Sequence, residues 1–447
     1  MDDLIGNAPP SDAIKCDVAG AEKLLRTHRP WMICEMRSRL RWQSCPSNAE
    51  KRTLNHVAQT SIVRAPRLKT NRLKMKTDAQ PIAPTKTWIA ILGSKDFPTD
   101  GVQDYCEFLD SALQHRAVEL RIIRVEWKQK GWLRALRELW RDSVDWRDKR
   151  VILQYTAMSW SRRGLPFAVL IVLALLRRRG ARCAVMFHEP YPQRGSRHAL
   201  ARLRTTCQHW VIRAMHRRAD KSIFPDSLGT IGWLPKGSKK AVFIPIGANI
   251  PEPVAGAAAG SEIGNTTRTV AIFCLTGAPH FHRELQEIAE AARAVVASGT
   301  KIRLLFFGRG TAEAREDIGH AICNMPVEFS ILGLLPPAEI TATLLKSDAM
   351  LCARGTVYPS RGSVIAGIAC GLPIVGYRGP ETVSPIAEAG LELVPYGQPG
   401  ALGEALSRVL SDNHLWQQLR DRSLRAHANY FSWEKIAERF STEFPNG

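Results

Sequence analysis

From Trp88 onward, short and almost uninterrupted apolar runs alternate with longer stretches of helical periodicity, and no other feature limits the fold of this chain so tightly. Most of the runs are apolar nearly throughout, unlike the strict alternation that marks a half-solvated strand. They therefore read as strands buried on both faces. In the first half they lie at Trp88–Gly93, Val118–Val125, Val151–Tyr155, Cys183–Phe187, Ser222–Pro225 and Val242–Pro245. In the second half they lie at Val270–Leu275, Ile302–Gly308, Val327–Leu332, Ala349–Ala353, Leu372–Tyr377 and Leu391–Val394. Such strands separated by helices build parallel sheets, and the expected fold class is α/β with two Rossmann-like, doubly wound domains. The small-residue stretch from Pro251 to Gly260 is the expected hinge. The expected divisions are an extension over residues 1–86, a first domain over 87–250, a linker over 251–267 and a second domain over 268–430. Ligands of such a pair bind in the crevice beyond the carboxyl ends of the strands.

Composition removes several classes. Of 447 residues 45% are hydrophobic, the share of an ordinary folded protein. The longest apolar run, Leu165 to Leu176, falls short of the roughly 18 residues that a spanning helix needs. The formal charge is +20, and residues 1–86 carry 16 Lys and Arg against 8 Asp and Glu. With Pro9, Pro10, Pro46, Pro66, Pro81 and Pro84 and little apolar periodicity, that extension is expected to be disordered, and Met75 is a candidate alternative start. Ten cysteines include no Cys-x-x-Cys pair, and Cys274, Cys352 and Cys370 sit in apolar runs. This suits buried thiols in a reducing compartment.

The segment from Arg361 to Gly376 carries most information about chemistry. A glycine turn opens a short helix of small residues, and Cys370-Gly371 closes it before a strand. Gly362 lets a ligand approach the backbone, and Ser363 caps the helix while leaving amides pointing outward. Such a terminus favours a phosphate, to which Arg361 adds a positive fork. From spacing alone, a helix cap without any ligand explains the segment equally well.

The runs Ala369-Cys370-Gly371-Leu372-Pro373-Ile374-Val375, Gly390-Leu391-Glu392-Leu393-Val394-Pro395 and Phe431-Ser432-Trp433-Glu434 resemble, in order and spacing, the retaining group 1 (family four) glycosyltransferases of the GT-B fold. The resemblance covers Trp88 to Phe444. It implies a second domain that holds a nucleotide-diphospho-sugar donor, a first domain that holds a glycan or lipid-linked acceptor, and a closing helix over 431–447 that crosses back onto the first domain. It implies no cofactor, no metal and no general base, because the leaving diphosphate accepts the acceptor's proton while the enzyme stabilises growing phosphate charge. The setting it suggests is bacterial-type polysaccharide or glycolipid synthesis in the cytoplasm.

Carried over position by position, the resemblance gives Arg361, Gly362 and Ser363 to the donor diphosphate, with Arg283 beside them. Gly308 borders the nucleotide, Gly333 lies where the backbone reads the base, and Gly101 belongs to the loop covering the site. His188 matches a histidine that contacts the donor sugar, and Glu189 beside it is the candidate for orienting the acceptor. A histidine satisfied by a nearby backbone group, and a plain strand-to-helix loop at Gly101, remain open alternatives. The family's Glu-x7-Glu pair is missing, because its positions fall on Tyr358 and Ala366. That gap opens two further readings: a non-catalytic nucleotide- or sugar-binding partner of another transferase, and a GT-B sugar-nucleotide epimerase.

The sequence contains no Asp-x-Asp, no zinc spacing and no Gly-x-Ser-x-Gly, and Gly232–Lys239 misses the P-loop pattern by placing Ser238 at the lysine position. His280 and His282 lack an evident third metal ligand. Between Ser196 and Lys221, arginines interleave with Leu200, Leu203, Trp210 and Ile212, and five more arginines bracket Leu165–Leu176. This pattern suits an anionic membrane surface, giving an expected peripheral position on the inner face of the membrane. A solvated helix face is the plainer alternative. Nucleic acid is not an expected partner, since few stacking aromatics accompany the charge and no recognition module is visible.

Overall fold

The computed structural model describes residues 86–192, 199–254, 267–276, 281–398 and 400–444, all within one unit, Ala79–Gly447. Most of the N-terminal extension, Met75, the greater part of the hinge, and His280 lie outside the described residues.

All twelve expected strands are present. They are β1 (Lys86–Leu92), β2 (Val118–Arg124), β3 (Arg150–Tyr155), β4 (Arg182–Phe187), β5 (Lys221–Phe224) and β6 (Ala241–Phe243), then β7 (Thr267–Phe273), β8 (Lys301–Phe307), β9 (Glu328–Gly333), β10 (Ala349–Thr356), β11 (Ile374–Arg378) and β12 (Leu391–Pro395). They form two six-stranded sheets, ordered β2-β1-β3-β4-β5-β6 and β12-β11-β10-β7-β8-β9, in which every pairing is parallel. We call them the first and second lobe.

Burial of both strand faces explains the apolar runs. In β1, Ile89 and Ile91 enter one core with Leu153, Val185 and Phe224, while Trp88, Ala90 and Leu92 enter another with Tyr105 and Leu109. In the second lobe, Val270 and Ile272 face one core and Ala271 the other. The apolar run before β11 begins at Leu372, two residues ahead of the strand itself. Gly371 takes a left-handed φ of 68° to end the Gly362–Ala369 helix, and Pro373 has no N–H to give the ladder, so pairing begins at Ile374.

The strand orders reverse direction at β1 in the first lobe and at β7 in the second. The loops leaving these two strands therefore open at switch points, where α/β folds place their ligands. The C-terminal helix, Trp433–Glu443, lies on the first lobe, where Trp433 stacks on Phe108 at 5.6 Å and Ile436 and Phe440 join the core around Trp88.

Candidate functional site

In the second lobe, the helix Gly362–Ala369 starts at the carboxyl edge of the sheet, just after β10. Arg361 is its N-cap residue, and the N–H groups of Val364 and Ile365 already bond to its carbonyl. Gly362 and Ser363, the first two residues of the helix, have no backbone hydrogen-bond acceptor among the described residues. A helix start leaves such donors unpaired, with the positive end of the peptide dipoles behind them. Nothing lies within 4 Å of the position a Cβ would take on Gly362, so the fold itself does not demand glycine there.

The Arg361 side chain turns into a crevice between the ends of β7 and β10, lined also by Cys274, Glu284, Cys352, Arg354 and Ser363. Its Nη1 donates to Cys352 Sγ at 3.1 Å and to the Gly355 carbonyl at 3.4 Å, and its guanidinium lies 4.8 Å from the Tyr358 ring centroid. The crevice has about 10 Å³ of free space, room for roughly one water. That is too little for a phosphate group with Arg361 as it stands. Glu284 closes the floor: its buried carboxylate accepts the N–H of Thr276 at 2.9 Å and the Thr276 hydroxyl.

The other expected donor residues divide. Arg283 does not share this crevice. It pairs with Glu287 at 2.9 Å, lies over Tyr396 and lines a separate cavity with Tyr377. Gly308 has a φ of 90°, and a Cβ on it would sit 2.7 Å from Cys274 Sγ, so its glycine is required by the backbone turn. Gly333 receives the Gly308 N–H at 2.7 Å. Ala366 is buried among apolar side chains, and the Tyr358 ring lies beneath the Arg361 guanidinium.

In the first lobe, His188 and Glu189 lie just past β4 at the carboxyl edge. His188 Nε2 lies 2.7 Å from Gln154 Oε1, and its ring meets Tyr105 edge-on at 5.2 Å. It is thus satisfied by a side chain, not by the backbone. Burial pulls its pKa down to about 4, against a small upward pull from Asp100, so the ring is neutral near pH 7. Burial pushes Glu189 up, although its Oε2 accepts the Ala157 N–H at 3.3 Å.

The loop from β1 to the helix Gly101–Gln114 is pinned at both ends. Arg124 donates to the Gly93 carbonyl at 2.9 Å and to Asp100 at 2.8 Å, and Asp100 caps the helix through the Gln103 N–H. Gly101 starts that helix, and its carbonyl accepts Asn249 Nδ2 at 2.8 Å.

Among the described residues, Arg309 and Ser360 join the lobes at this edge, and sequence reasoning found neither link. Arg309, beyond β8, donates to Thr99 Oγ1 at 2.8 Å, to Asp96 at 3.1 Å and to the Thr99 carbonyl. Ser360 Oγ donates to Asp226 Oδ1 at 2.9 Å. The available signal was positional: Arg309 and Asp226 each come after an apolar strand, at the edge where ligands bind.

No protein-family model matches the sequence, and no curated protein matches it. Solved structures do. HepE from Anabaena, in complex with UDP and glucose, aligns with a TM-score of 0.54 at 13% identity, covering 80% of this chain and 99% of HepE. A glycosyltransferase from Rickettsia africae gives 0.54 at 10% identity, with 81% and 99% covered. The UDP-forming α,α-trehalose-phosphate synthase of Burkholderia vietnamiensis gives 0.53 at 12% identity, with 80% and 97% covered. At these identities the likeness is one of fold, and the two parallel six-stranded sheets of this chain are of the GT-B type.

Proposed function

We propose that the protein is a GT-B glycosyltransferase that moves a sugar from a nucleotide-diphospho-sugar to a glycan or lipid-linked acceptor, without a metal and with retention of configuration. The observation that carries this reading is the pair of unpaired amides at Gly362 and Ser363, opening beside Arg361 at the switch point of the second sheet. Amides of this kind stabilise a diphosphate, and more strongly as it becomes a leaving group. UDP is the nucleotide to try first, because HepE was solved with it. Neutral His188 suits a contact to a sugar hydroxyl, and Glu189 beside it suits the acceptor. Titration calorimetry with UDP, then transfer assays across acceptors, tests the reading. Absence of UDP and UDP-sugar binding contradicts a UDP donor.

A membrane surface is the partner we propose for the first lobe. Phe167, Ile171, Leu200, Leu203 and Trp210 are exposed on its helices, and the Phe167 and Trp210 rings approach to 6.0 Å. Exposed Arg162, Arg163, Arg178, Arg202 and Arg213 lie on the same segments. Apolar side chains among arginines suit an anionic bilayer, where a lipid-linked acceptor resides. No helix among the described residues is long and apolar enough to cross a membrane. Sedimentation with anionic and neutral vesicles checks this, and equal failure to bind both contradicts it.

One observation favours a second reading, a non-catalytic nucleotide-binding partner: Tyr358 and Ala366 leave the second lobe without a carboxylate at either motif position. UDP-sugar binding with no turnover against any acceptor separates the two.

A further inference from the structure

Asp226 lies just past β5 at the carboxyl edge of the first lobe, and only 4% of its surface is exposed. It forms no salt bridge among the described residues. The ionisable groups facing it, Tyr191 from the first lobe and Glu381 from the second, are both acids. A buried carboxylate without a cation is costly unless hydrogen bonds hold it. Here the bonds come from Ser360, a residue 134 positions away on the opposite lobe, through its Oγ at 2.9 Å and its backbone N–H. Ser360 stands directly before Arg361. The Arg361 N–H turns back to the Tyr358 carbonyl at 3.1 Å, so residues 358–361 form one tight turn feeding the helix that begins at Gly362. Wherever Ser360 is held, the first helical amides are aimed as well.

We propose that Asp226 is a positioning residue: from the first lobe it holds the Ser360–Arg361 turn of the second, so that lobe closure and the aiming of the Gly362 and Ser363 amides are one event. The inference rests on the donor reading above only in its consequence for ligand affinity. The positioning itself belongs to the free protein. Asp226 acts through Ser360 and needs no contact with substrate. Its accepting oxygen, more than its charge, is the working part.

The test uses the full chain and the variants Asp226→Ala, Asp226→Asn, Ser360→Ala and the double alanine variant. Amide hydrogen exchange over residues 358–366 is measured without ligand, and UDP affinity is measured by calorimetry. Loss of one hydrogen bond corresponds to roughly tenfold faster local opening. Asp226→Ala, which removes both bonds, is expected to show at least that acceleration, and Ser360→Ala, which keeps the N–H, a smaller one. The double variant should show no more than Asp226→Ala alone, and Asp226→Asn nearly none. UDP affinity is expected to fall in the same order in the alanine variants and to be kept in Asp226→Asn. Unchanged exchange in the single variants, or effects that add in the double variant, overturns the proposal. If Asp226→Ala proves unstable, Ser360→Ala and Asp226→Asn still decide it. Exchange that behaves as expected in a protein that binds no UDP leaves the positioning intact and removes the UDP-donor reading. UDP binding untouched by every substitution does the reverse.

Discussion

The two lobes have the same parallel architecture, yet they present opposite chemistries to the shared edge. The second offers donors fixed by the backbone, the amides of Gly362 and Ser363, with Arg361 and Arg354 beside them. The first offers ionisable side chains that burial moves toward neutrality: His188 pulled down to about 4, with Glu189 and Asp226 pushed up. A grip for an anion needs donors that never change their charge. A surface that handles hydroxyl groups needs groups that can accept or give a proton. The division teaches that one fold, used twice, presents two different chemistries through changes confined to the loops at the strand ends.

The largest test of that contrast is Arg361→Ala. If the fork reaches the diphosphate, UDP affinity falls by about 1.5–3 kcal/mol, as expected for charge-assisted hydrogen bonds. Unchanged calorimetric affinity would erase the distinction between the lobes. A paired substitution sharpens it. Gly308→Ala must force a left-handed residue against Cys274 Sγ, so thermal unfolding should report a loss of about 1–3 kcal/mol. Gly362→Ala meets open space and is expected to unfold like the parent protein, with weaker UDP binding if the ligand rests on that backbone.

The first lobe is tested through pH. His188 titrates at about 4 in the folded chain, below its ordinary 6.5, so the unfolded chain binds a proton that the folded one refuses between those values. Its contribution is therefore complete above pH 6.5 and lost as pH falls toward 4. His188→Gln should flatten the decline in Tm across that window, by about 2 °C. Asp104 behaves in the opposite sense. Burial first, then Glu107 and Asp100, pushes it up to about 6 from 3.8, so stability falls as pH rises through that interval. Asp104→Asn should raise Tm slightly above pH 6 and leave it unchanged below about pH 4, the smallest of these effects.

These contrasts also explain what the sequence made legible. The inner strands could be read because burial on both faces leaves a run of apolar residues that needs no partner to be recognised, whereas the edge strands β2 and β9 keep exposed residues and were legible by their place between helices. The start of the Gly362–Ala369 helix was visible too, since glycine turns are local, but the cap assigned to Ser363 falls on Arg361, whose side chain makes no capping bond. The first lobe hides its chemistry in tertiary neighbours. Gln154, which satisfies His188, is 34 residues away, and Asp226 is 134 from Ser360. Arg283, which the resemblance set beside the diphosphate, pairs with Glu287 one helical turn on and lines a separate cavity, neighbours the sequence did not show. Gly308 was readable as special, though the special demand is Cys274 behind it.

A crystal structure of the protein with UDP is the most direct measurement. The account predicts diphosphate oxygens within hydrogen-bond distance of the Gly362 and Ser363 amides, with Arg361 swung out from Cys352 to meet them. A nucleotide seated elsewhere, with those two amides still facing water and Arg361 still against Cys352, would contradict it.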